Sequence, residues 1–217
     1  KLLEALTQSA TFAPFRTVVF RNLWLASFAA NIGMWMNDVT AAWVMTSLTT
    51  SPVMVALVQT ASTLPVFLLG LPSGAMADIV DRRRYFAATQ LWVALTALLL
   101  ATLALTNSLT PTLLLLLTFA SGIGLAMRWP VFSAIALNGI SMNLSRVVGP
   151  VVAGAIISAV GTGAVFVVNV LLASAAFVTI LRWHSEPRTG TLPGERFVGA
   201  MRVGWQHVMQ SPRMKAV

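Results

Sequence analysis

Long apolar runs separated by short polar breaks set the pattern of this chain. Six runs are long enough to cross a bilayer, at about 23–48, 53–77, 85–105, 112–135, 136–160 and 163–181. A helix rising about 1.5 Å per residue needs about 20 apolar residues to cross about 30 Å of hydrocarbon. The breaks carry turn chemistry: Thr49 to Pro52, the charged stretch Asp78 to Arg84, Thr106 to Pro111, and Gly161 to Gly163. The runs are continuous and lack strand-length alternation, which favours helices over an outer-membrane barrel. The predicted fold class is an all-α membrane protein with six transmembrane helices. One junction departs from this pattern. The fourth and fifth runs abut with no polar turn, although a helical hairpin needs connecting residues. A cytoplasmic loop near Ile135 and Ala136 is therefore expected to be missing from the sequence.

Composition agrees with a bilayer setting. Hydrophobic residues make up 57% of the chain and charged residues 9%, with a mean hydropathy of +0.82; soluble domains carry roughly 25% charged residues. The net charge of +8 comes from basic residues between apolar runs. They form no patch with interleaved aromatics, so nucleic acid is not an expected partner. There is no cysteine, and His184 and His207 are the only imidazoles, so neither a disulfide framework nor a metal centre is expected. No cofactor is implied, and no Gly-rich nucleotide-binding loop ending in Lys-Ser or Lys-Thr occurs. The two histidines and the intramembrane acid fall in different compartments, which argues against an enzyme.

Orientation follows from the basic residues. Lys1, Arg16, Arg21, Arg82, Arg83, Arg84, Arg182 and the bases beyond it all fall on one side, and the three opposite loops carry no charge. Both ends therefore face the cytoplasm of an inner membrane. Residues 1–22 form a cytoplasmic lead, 23–181 a six-helix bundle, and 182–217 a linker. In the linker Phe197, Met201, Trp205, Val208 and Met209 fall at helical spacing opposite Arg196, Arg202 and Gln206, as in an amphipathic helix on the inner leaflet. Six spans and an amphipathic connector leading onward are the shape of half a transporter.

Two motifs carry a resemblance. Gly74, Asp78, Arg82 and Arg83 fall in register on the loop signature between the second and third spans of the major facilitator superfamily. Ile79 and Asp81 depart from it. In the fifth span Gly149, Pro150, Ala153 and Gly154 resemble the superfamily's antiporter signature, which suits a kinked, closely packed helix. The whole chain is similar to the efflux branch that includes the enterobactin exporter. The resemblance implies a bacterial inner-membrane exporter built of two six-helix bundles, of which this is the N-terminal one, with Asp78 latching the halves together. Thr118 stands where the superfamily often carries a fourth-span Arg, four residues before Gly122.

Charge inside the spans marks candidate sites, because an ionisable group in hydrocarbon costs at least about 2.5 kcal/mol. Asp38 is the acid, and Arg128 and Arg146 are the bases. Trp24, Asn31, Asp38 and Met45 recur every seven residues and share a face of the first span. Asp38 is the candidate proton or cation coupling site, with solvation at the outer interface as the alternative. Asn31, Trp35, Asn37, Gln59, Asn143 and Arg146 are the substrate-cavity candidates, Arg146 for an anionic substrate or a charge partner. Arg128, late in the fourth span, is expected to snorkel to the cytoplasmic surface. The expected partners are a small-molecule substrate, protons, the lipid bilayer and a second six-helix bundle of the same protein. The rival readings are a lipid or lysolipid flippase of the same fold and a non-transporting membrane scaffold or sensor.

Overall fold

The computed structural model describes residues 17–133 and 138–182. The expected amphipathic linker, the N-terminal lead and the 134–137 junction lie outside the described residues. The rest is six helices: α1 Val18–Leu48, α2 Pro52–Ile79, α3 Arg82–Leu105, α4 Pro111–Ser133, α5 Asn138–Val160 and α6 Thr162–Leu181. The turn signals stop the helices where expected. Pro52 and Pro111 open α2 and α4 at the first helical position, where a missing N–H costs nothing. Gly161, at φ +100°, makes the tight reversal into α6 that a side chain would strain. The Asp81 side chain accepts from the Arg84 N–H at 3.0 Å and caps α3.

Five helices, α2 to α6, are long and apolar enough to cross a membrane. The first helix has the length, 31 residues or about 46 Å, but lacks the hydropathy. It carries Asn22, Asn31, Asn37 and Asp38, and most of that polarity is turned inward: Asn31 and Asn37 are buried. Its polar face is thus an interior face, and so α1 reads weakly by hydropathy.

The helices pack most closely as α2 with α4, α3 with α6, α1 with α5 and α1 with α6. Exchanging α1–α3 for α4–α6 maps α2–α4 packing onto α5–α1, α1–α6 onto α4–α3, and α2–α3 onto α5–α6, while α3–α6 and α1–α4 map onto themselves. A three-helix unit repeated about a pseudo-two-fold axis has this signature, and it places α1 and α4 as counterparts across the middle of the bundle.

Small residues let the helices close in, since lipid gives apolar side chains no reason to prefer each other. A Cβ added at Gly122 on α4 would come 2.6 Å from the Ser62 carbonyl oxygen on α2, and one at Gly149 on α5 would come 2.6 Å from Trp35 Cβ on α1. One apolar cluster, including Ala41, Val44, Met45, Leu100, Leu114 and Phe166, fills the bundle at the end where α1 finishes and α4 starts. Asn37 and Asp38 follow directly beneath it.

Candidate functional site

Beneath that cluster lies an interior cavity of about 40 Å³ lined by residues of α1, α2, α3, α4 and α6. Its polar lining is Asn37, Asp38, Ser62, Thr118, Ser121, Arg128 and Asn169. A buried water needs about 10–15 Å³ of such space, so the cavity has room for about three water molecules and none for an organic compound. Asn37 Oδ1 and Thr118 Oγ1 are buried with no hydrogen-bond partner among the described residues. Buried polar atoms left so are costly, and a site lined with them is one that water or a proton can occupy.

Two of the three intramembrane charges, Asp38 and Arg128, line this cavity. Asp38 stands about 15 Å from the end of α1, and Arg128 about 25 Å from the start of α4. Arg128 does not snorkel outward: it is 3% exposed. It donates to Asn31 Oδ1 at 3.5 Å and lies 3.7 Å from Met34 Sδ. The reason is local. Asn31 on the facing helix offers an acceptor at the same depth, and Asn31 Nδ2 is itself held by Ser141 Oγ of α5 at 3.1 Å. Ser141, Asn31 and Arg128 therefore run as a polar chain across α5, α1 and α4. A guanidinium that finds such partners is held inside.

The remaining substrate-cavity candidates separate in space. Trp35, Asn143 and Arg146 sit on the outer side of the α1–α5 pair, where the Arg146 guanidinium lies 5.5 Å from the centroid of the Trp35 ring. Asn143 is exposed and donates back to the Gly139 carbonyl at 2.9 Å. Gln59 is exposed on α2, with Ser62 Oγ at 3.5 Å. Of the heptad on α1, Asn31 and Met45 are buried, Asp38 lines the cavity, and Trp24 stacks on Phe28 with ring centroids 5.4 Å apart.

A family model described as transmembrane secretion effector matches residues 9–217. The chain belongs to the major facilitator superfamily. It is a multi-pass membrane transporter. No curated protein matches it.

In this major facilitator protein the two signature motifs are differently placed. The Asp78 and Arg82 side chains lie outside the described residues, and Gly74 has open space around it. Arg83 donates to the Leu181 carbonyl at the end of α6, a cation at the negative end of a helix dipole. Tyr85 donates to the Ser73 carbonyl at 3.4 Å, so the loop ties α2, α3 and α6 at one end of the transporter. In the antiporter-like segment α5 continues as helix through Pro150. Gly149 and Gly154 differ: the first is closed against α1, the second has no atom within 4 Å of an added Cβ. Gly149→Ala is expected to destabilise the protein by about 1–3 kcal/mol through overpacking. Gly154→Ala is expected to hold or raise stability, since Ala favours the helix. Thermal unfolding in detergent of the two variants side by side checks the contrast, and equal effects would contradict the packing.

Arg128, Thr118, Ser62, Ser121 and Asn169 are the polar cavity residues that were not among the substrate-cavity or coupling candidates. For Arg128 the signal existed: an Asn on the first span at matching depth. For Thr118, Ser62, Ser121 and Asn169 a lone hydroxyl or amide in a span is common interhelical glue, and only the three-dimensional arrangement makes them a lining.

Proposed function

We propose that this transporter is a proton-coupled exporter of small amphipathic compounds that works by alternating access, this bundle rocking against a second six-helix bundle of the same protein in a bacterial inner membrane. The observation that carries the reading is a cavity sized for water and shared by Asp38 and Arg128. Such a site, with room for about three water molecules, suits a proton better than an organic cargo. Cargo then binds elsewhere, between bundles.

The role of each residue follows from that division. Asp38 changes protonation between the two states of the cycle. Arg128, held by Asn31, supplies a fixed positive charge to the same cavity, so a neutral carboxyl and an ionised one give the cavity different net charge. Asn37 and Thr118 present hydrogen-bonding atoms to water entering the cavity. The signature loop of Gly74, Asp78, Arg82 and Arg83 serves as the latch between bundles. The Gly149, Pro150 and Gly154 segment sets the approach of α5 to α1. A difference in charge between states is what lets proton binding bias a conformational equilibrium.

The test is reconstitution of the full-length protein in liposomes with an imposed pH gradient and a panel of lipophilic dyes. Gradient-driven dye movement supports the exporter. Redistribution of a labelled lipid with no dye movement would place the flippase ahead, and neither activity would favour the scaffold.

A further inference from the structure

We propose that the outer wall formed by Arg146, Trp35 and Asn143 is an anion-recognition site, and that the compounds this transporter moves include amphipathic aromatic anions. The inference rests on the reading of the chain as a transporter with its cargo bound between bundles, and it names the cargo's chemistry.

Arg146 is exposed on the outside of the six-helix bundle, eight residues into α5. Its Cα is about 21 Å from the far end of the helix, and Trp35 is about 20 Å from the same end of α1. The guanidinium lies over the Trp35 ring at 5.5 Å, so it stays at the level of its own backbone and does not reach toward the nearer end. Gly149, one turn on from Arg146, brings α5 close against Trp35 and fixes the two helices for this contact. A charge held at that depth cannot face lipid without large cost. This side of the bundle therefore faces water or protein.

The chemistry around it selects the ligand. Arg146 is a planar cation pre-oriented on an aromatic face, which suits a carboxylate, sulfonate or phosphate and leaves the ring edge and neighbouring side chains for an apolar body. Asn143, one turn earlier on the same helix, adds a polar side chain. Val147 is 67% exposed, Ile140 51% and Leu144 46%, and at one-turn spacing to Asn143 and to one another they make the adjoining face of α5 apolar. Asp38, three residues beyond Trp35, lines the interior cavity instead. Cargo recognition at the α1–α5 contact and proton handling in the cavity thus lie one turn apart on one helix, at Trp35 and Asp38.

The test is equilibrium binding to the full-length protein in nanodiscs of three probes with one aromatic body: 1-naphthoate, 1-naphthylmethylammonium and 1-naphthalenemethanol. Naphthoate is expected to bind most tightly. Arg146→Gln is expected to weaken naphthoate about tenfold or more, the loss of one charge-assisted hydrogen bond, and to leave naphthalenemethanol unchanged. Arg146→Lys is expected to recover part of the loss, and Asp38→Asn is expected to bind naphthoate as the wild type does. Equal binding of the ammonium and the carboxylate, or no effect of Arg146→Gln, would overturn the proposal. The two readings fail separately: naphthoate binding that survives without gradient-driven movement sinks proton coupling alone, and gradient-driven movement of cationic dyes without naphthoate binding sinks the anion site alone.

Discussion

Asp38→Asn is expected to reduce gradient-driven transport to the level of protein-free liposomes while leaving binding and gradient-free exchange of the same compound intact. The argument is one of chemistry at fixed shape. Asn occupies the volume of a protonated Asp and keeps its hydrogen-bonding reach, but it has no ionised form. A cycle in which the cavity must alternate between two charge states is then arrested in one of them. A ligand-driven exchange needs no such alternation and continues. Transport at wild-type rate in Asp38→Asn would remove the carboxyl from the mechanism.

Arg128→Leu is the second large effect, and it falls on stability first. Arg128 is buried, donates to Asn31 and shares the cavity with Asp38. Its removal leaves an Asn31 acceptor without that donor and takes a cation from the cavity that Asp38 also lines. Leaving a buried acceptor without its donor costs about 1–3 kcal/mol. The double variant Asp38→Asn with Arg128→Leu removes both charges together and is expected to recover at least about 1 kcal/mol of that loss, since groups that share a site couple. Thermal unfolding of the four proteins in detergent gives the cycle. Strict additivity would show that the two charges do not feel each other.

These expectations depend on features of unequal legibility in the sequence. The helices α2 to α6 were plain, because each carries a run long and apolar enough to cross a membrane. The start of α1 at Val18 was not, since Arg21 and Asn22 interrupt the apolar run that a hydropathy reading follows. Asp38 stood out as the acid within a span. Arg128 stood out too, but its role was misread because position along a helix gives depth and not direction. Whether a long side chain reaches out or in is decided by what the neighbouring helix offers, and Asn31, ninety-seven residues away in sequence, cannot be paired with it from spacing alone. The division of Asn37 from Trp35, Asn143 and Arg146 is of the same kind. All were polar or aromatic positions in spans, and only the crossing of α1 with α5 separates an inner lining from an outer wall.

Trp35 and Asp38, one turn apart on α1, join two proposed roles: protons are handled in the cavity and cargo at the α1–α5 contact. The most direct measurement is the simultaneous recording of internal pH, with trapped pyranine, and dye content in liposomes holding the full-length protein in one orientation. The account predicts that adding the dye on the cytoplasmic side moves protons the opposite way in fixed proportion to dye, and that Asp38→Asn abolishes both movements. Dye movement with no accompanying proton flux in the wild type would contradict it.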